Sequence, residues 1–162
     1  MPPLFRAQRV YELAQCDKSK IESLHLYNDR LLVGLNTGVL RVYRVSETSA
    51  LDRASSSIDS SSSPKKGKTL ELLREEEAFG KKPIQQLSTV KEANLLIGLS
   101  DTYVSLHDLQ DYRLVERLGG TKGATCFAVT SSVAENVESH VSTLVSRLAV
   151  AVKHKVLCWN WV

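Results

Sequence analysis

Three stretches of this chain follow one pattern and align without gaps: LLVGLNTGVLRVYR from Leu31, LLIGLSDTYVSLHD from Leu95 and LAVAVKHKVLCWNW from Leu148. Each is an apolar run, a short polar turn and a second apolar run. The turns are expected at Asn36-Thr37-Gly38, Ser100-Asp101-Thr102 and Lys153-His154-Lys155. Two strands joined in this way make a hairpin, and Gly38 stands where a three-residue loop needs a left-handed residue. A hairpin that recurs inside a longer unit is the mark of a repeat architecture. The pattern predicts an all-β chain of β-propeller type, which is a binding platform more than an active site.

An alternating segment precedes each hairpin: KIESLHL, PIQQLSTV and GATCFAV. Another follows the first two, TLELLREEEAF and YRLVERL. Four strands make one blade, so the chain contains about three four-stranded antiparallel blades, the third incomplete. The units are longer than the ~40–45 residues of a WD-type blade. Two insertions account for the excess. Residues 47–68, with SSSIDSSSSPKKGK, are too polar and irregular to order themselves, and residues 131–146 read as a flexible loop. LLVGL and LLIGL are nearly continuous apolar runs, as expected for strands covered on both faces. Gly34 and Gly98 fall mid-strand, where a small residue suggests close approach by another backbone. An additional strand is expected over Phe5 to Leu13.

Three blades do not close a ring, since propellers have about four to eight. Residues 1–162 therefore read as the first part of a larger propeller. An open flank leaves large apolar side chains bare at about 1.5–3 kcal/mol each. A handful of these rivals the ~5–15 kcal/mol that hold a domain together. The chain alone is expected to aggregate or unfold in part.

The net charge of +3 is too small and too dispersed to indicate nucleic-acid binding. No apolar run is long enough for a membrane span, and MPPLFRAQRV lacks the apolar core of a signal peptide. Cys16, Cys126 and Cys158 form no bonding pattern; Cys126 and Cys158 lie in expected strands and read as buried, reduced thiols. The cytosol is the compartment that fits.

Catalytic, cofactor and metal chemistry find no foothold. His25, His107, His140 and His154 have no ligand partner at a metal-binding interval. GGTKG at Gly119–Gly123 lacks phosphate-loop spacing and reads as a flexible connector between blades. The carboxylates of Arg74–Glu77 (REEE) alternate between faces and suit a charged outer strand. Two features have functional content. Lys65, Lys66, Lys68, Lys81 and Lys82 form a loose basic cluster suited to anionic lipid or an acidic partner. Ser63, followed by Pro64, is a candidate phosphorylation site, where ~1.5–2 negative charges would alter a contact.

KIESLHLYNDRLLVGLNTGVLRVYRV, KKPIQQLSTVKEANLLIGLSDTYVSLHDL and the third unit from KGATCFAVTSSV to SRLAVAVKHKVLCWNW resemble the opening blades of a citron homology (CNH) domain. More narrowly, they are similar to the N-terminal domain of Vam-six-type vacuolar protein sorting subunits of the HOPS tethering complex. Lys81, Lys82, Ile84, Gln85 and Gln86, the Lys122-Gly123-Ala124 start and the Ala151–Lys155 hairpin carry most of the likeness. The resemblance implies a non-catalytic interaction module in vesicle tethering and vacuole fusion. Its implied partners are other tethering subunits and a late-endosomal or vacuolar Rab GTPase, with peripheral association on vacuole and late-endosome membranes. The alternative is a CNH-type regulatory domain linked to small-GTPase nucleotide exchange or kinase signalling.

Overall fold

In the computed structural model, which describes residue 12 and residues 17–47, 68–136 and 141–161, the three matched segments form central hairpins in three antiparallel sheets. The first sheet runs β1 (Ile21–Tyr27), β2 (Arg30–Leu35), β3 (Leu40–Glu47) and β4 (Lys68–Glu76), in that order. The second repeats it with β5 (Ile84–Val90), β6 (Leu95–Ser100), β7 (Tyr103–Asp108) and β8 (Leu114–Arg117). The third has β9 (Ala124–Asn136), β10 (Val141–Val152) and β11 (Lys155–Trp161). Strands adjacent in sequence are adjacent in each sheet. The expected all-β architecture of two four-stranded sheets and one of three stands, compatible with a partial propeller.

The sheets stack face to face, with β5 lying against β1 on one side and β9 on the other. One apolar layer joins the first two sheets through Leu32, Leu40, Val42, Ile84, Leu96 and Phe79. The second joins Ile97, Leu99 and Val104 to Phe127, Leu148 and Val150. Successive residues of a strand face opposite ways, so Leu96 serves the first layer while Ile97 serves the second. This double service is why LLIGL lacks polar alternation: Leu96, Ile97 and Leu99 are all fully buried. Each such side chain contributes about 1.5–3 kcal/mol by leaving water.

Gly34 and Gly98 are tight for the reason their position suggested, but side chains make the approach. A Cβ on Gly34 would collide with the Ser23 hydroxyl and lie 2.8 Å from Ile84 Cβ; one on Gly98 would meet Phe79 Cε1 at 2.9 Å. The Asn36-Thr37-Gly38 loop forms as expected. Gly38 has φ 87°, its N–H donates to Leu35 O at 3.1 Å, and the Leu35 N–H donates to Val39 O at 3.0 Å. The other two turns are shorter than expected. Ser100 pairs with Tyr103 and Val152 with Lys155, leaving the two-residue turns Asp101-Thr102 and Lys153-His154. Asp101 and Thr102 both take positive φ, 53° and 63°, whose twist matches that of the flanking strands.

Three expectations are corrected. Within the span 131–146 expected as a flexible loop, residues 131–136 and 141–146 are instead paired strand, β9 and β10 continuing their ladder out to Val141 and Asn136 as a long arm. Their polarity reflects exposure, because the backbone ladder satisfies itself while side chains such as Val133 (64% exposed) meet solvent. The Gly119–Gly123 connector is anchored by fully buried Thr121, whose hydroxyl donates to Leu118 O at 2.7 Å and accepts from the Val104 N–H at 3.2 Å. Cys126 and Cys158 are free and exposed, because they share the outward face of the third sheet, which no described sheet covers. The strand expected over Phe5 to Leu13 and nearly all of the serine-rich insertion at 47–68 lie outside the described residues, as does Cys16.

Candidate functional site

The seam between the first two sheets brings together most of the side chains with interaction chemistry. The chain leaves β4 and crosses to β5 through residues 77–83, a strap held at both ends. The Gly80 N–H donates to Gly38 O at 3.0 Å, and the Ser100 hydroxyl donates to Lys82 O at 2.8 Å. Lys81 and Lys82 stand exposed on this strap. Lys68 begins β4 opposite Glu47, whereas Lys65, Lys66 and Ser63 lie outside the described residues. Of the five lysines, only Lys81 and Lys82 are therefore placed side by side with their surroundings described.

Polar stitches run along the same seam. The Ser23 hydroxyl donates to Ile84 O at 2.6 Å, His25 Nε2 lies 3.0 Å from Thr89 Oγ1, and the Tyr27 and Tyr112 hydroxyls approach to 3.4 Å. Burial and then the Tyr112 hydroxyl hold the Tyr27 phenol above its ordinary range. Burial, with Lys91 nearby, pushes the His25 imidazole down. These contacts come from alternate positions of β1, so the polar residues Ser23 and His25 face inward, while Leu24 and Leu26 face outward at 58% and 61% exposure.

His107 is the feature that sequence reasoning missed. It is 2% exposed, stacked on Phe79 at 4.0 Å between ring centroids, with Nδ1 3.1 Å from Tyr112 O and Nε2 2.9 Å from Ser105 Oγ. A carbonyl only accepts, so Nδ1 carries the proton and Nε2 accepts from the Ser105 hydroxyl. Burial pushes this imidazole below its ordinary value, against the pull of the Tyr112 carbonyl. The pair has the outline of a nucleophile and base, yet the Phe79 ring covers the imidazole and a neutral carbonyl, not a carboxylate, orients it. Its work is structural: it holds Tyr112 at φ 61°, a conformation unusual for a bulky residue. The signal in the sequence was the spacing of Ser105 and His107, which puts both on one face of β7.

Two clefts flank β7. Beyond its end, a cleft of about 270 Å³ is lined by Tyr27, Arg30, Val42, Leu73, Arg74 and Tyr112. Arg74 lies over the Tyr112 ring at 5.6 Å and pairs with Glu76. At the start of β7, a cleft of about 160 Å³ is lined by Lys81, Asp101, Tyr103, Ser105 and Arg117, with Phe79 as its apolar wall. The REEE carboxylates divide between partners. Glu75 joins Asp17 on Arg41, at 2.6 and 2.7 Å, and Glu77 is exposed. The Arg41 guanidinium holds Asp17 down at about 2. Among the described residues, no three His, Cys, Asp or Glu side chains converge as metal ligands, and no helix is long and apolar enough to cross a membrane.

No family model matches the chain. The Vam6/Vps39-like protein of Homo sapiens is 30% identical over 142 residues, spanning 88% of this chain and 15% of that protein. The vacuolar protein sorting-associated protein 39 homolog of Drosophila melanogaster is 23% identical over 146 residues, 88% of this chain and 14% of its own length. The chain thus spans about one seventh of the curated relatives it matches. Among solved structures, the computationally designed Ika4 protein has a TM-score of 0.48 at 13% identity, covering 95% of this chain and 98% of that one. The alignment over 88% of its length shows that the chain is homologous to the Vam6/Vps39 proteins of vacuolar sorting.

Proposed function

We propose that this chain is a non-catalytic interaction module of a HOPS-type tethering subunit acting in vesicle transport to the vacuole or late endosome. The observation that carries the reading is the homology to Vam6/Vps39 proteins over 88% of the chain. The stacked sheets support it, since rigid strands present loops and edges as docking surfaces. In this reading residues 1–162 are the first part of a CNH-type propeller. The partners are other tethering subunits and a vacuolar or late-endosomal Rab GTPase. Lys65, Lys66 and Lys68, together with Lys81 and Lys82, assist contact with an anionic membrane, and modification of Ser63 in the serine-rich insertion weakens that contact by adding negative charge.

The test is capture of vacuolar Rab proteins by the propeller in both nucleotide states. Preference for the GTP state is the expected result. Preference for the nucleotide-free state would replace this reading with an exchange-factor role, and absence of binding in both states would remove the Rab from the list of partners. Peptide mapping of protein isolated from cells tests Ser63, with a phosphorylated peptide as the expected outcome.

A further inference from the structure

The cleft at the start of β7 contains three donors without a hydrogen-bond or ion-pair partner among the described residues. Among the described residues, the Lys81 ammonium and the Arg117 guanidinium have no ion-pair partner and the Tyr103 hydroxyl has no hydrogen-bond partner, yet all three line one space of about 160 Å³. Asp101 supplies an acceptor at its rim. Gly80 keeps this geometry tight: a Cβ there would lie 2.7 Å from Ser100 Oγ, so the strap bearing Lys81 rests directly on the end of β6. The cleft also opens onto β8, the outer strand of its sheet, whose four residues are all exposed. Leu114 on that strand lines the cleft and is 51% exposed.

We propose that an acidic peptide pairs with the edge of β8 that no described strand occupies and places one anionic side chain, a carboxylate or a phosphate ester, between Lys81, Arg117 and Tyr103. An unpaired strand edge offers backbone donors and acceptors that an extended peptide takes up as an added strand. The side-chain pocket beside it supplies the choice of sequence. Arginine favours a planar or tetrahedral oxyanion through paired N–H groups, and lysine adds charge. A lipid headgroup satisfies the cations but not the strand edge. The proposal stands apart from the trafficking reading, because it concerns one cleft and is tested in vitro without Rab proteins or other subunits.

The experiment titrates the full chain with a glutamate-rich peptide, the same peptide carrying phosphoserine, inorganic phosphate, and vesicles containing phosphatidylserine. Binding is followed by calorimetry and by the amide NMR shifts of Gly80 and Tyr103. Saturable peptide binding that moves both amides is expected, and the tighter of the two peptides identifies carboxylate or phosphate as the preferred group. Arg117→Ala and Lys81→Ala, both at exposed positions, should each weaken it about tenfold or more, as loss of a charge-assisted hydrogen bond does. Lys122→Ala, at an exposed lysine outside the cleft, should leave it unchanged. No saturable peptide binding, equal loss in Lys122→Ala, or binding to vesicles and not to either peptide would each overturn the proposal. Binding of phosphate alone without either peptide would overturn the strand-edge part and leave only an anion pocket.

Discussion

At Gly34 the absence of a side chain does more than ease a turn. The Ser23 hydroxyl and the Ile84 side chain occupy the space a Cβ would need, and Ile84 belongs to the neighbouring sheet. Gly34→Ala should therefore push the first two sheets apart, at a cost of about 1–3 kcal/mol for overpacking, read as a lower urea midpoint with an unchanged slope. The half-buried imidazole of His25 and the buried one of His107 act in the same seam. Burial holds both below their ordinary value of about 6.5. The unfolded chain then binds protons that the folded one resists, so stability is fully present above that value and falls as pH drops through it towards the folded values. The urea midpoint should decline between about pH 7.5 and pH 5.5, and His107→Phe should flatten part of that decline. A slope that persists in full after this substitution would mean that His107 contributes none of it.

Among the strands, β5 carries the most consequence because it touches both neighbours. Gln86 reaches from it to the free edge of β9, donating through Nε2 to Phe127 O at 2.6 Å and accepting the Phe127 N–H at 3.0 Å. One amide side chain thus imitates a strand partner and ties the second sheet to the third. Gln86→Ala strands both backbone groups and should cost about 1–3 kcal/mol, with faster hydrogen exchange at the Phe127 amide. Gln85→Ala, at the exposed neighbouring position, should stay within about 0.5 kcal/mol of the parent. The existence and order of these elements were legible from hydrophobic spacing, down to the three-residue loop closed by Gly38. The long arm of β9 and β10 was not, because a ladder that extends past its neighbours needs no apolar residues to persist. Nor was the role of Gln86, since an amide in the middle of a strand looks the same whether it meets solvent or another backbone.

Across the whole stack, the two outermost faces differ from the interior. Leu24 and Leu26 lie bare on the first sheet, and Val156 (64% exposed), Cys126 and Cys158 lie bare on the third. The 162-residue chain should associate in a concentration-dependent manner through these faces, and Leu24→Thr with Leu26→Thr should reduce that association while leaving the unfolding free energy within about 0.5 kcal/mol of the parent. Light scattering across a dilution series measures it. Both described thiols should react with a disulfide reagent in the native protein, without denaturant; protection of either thiol would show that its face is covered in solution.

Alternation, turn residues and the recurrence of one hairpin were enough to establish an all-β chain of repeated sheets, because those properties are local and follow from the period of the strand. The likeness to the vacuolar sorting proteins rested instead on particular residues, among them Lys81, Lys82, Ile84, Gln85 and Gln86 and the Ala151–Lys155 hairpin. The placement of Lys81 beside Arg117 and Tyr103, the enclosure of His107 by Phe79 and Tyr112, and the exposure of Cys126 and Cys158 depend on which sheet faces which. That is a matter of packing between segments far apart in the chain, and the periodicity of a single strand carries no information about its neighbour.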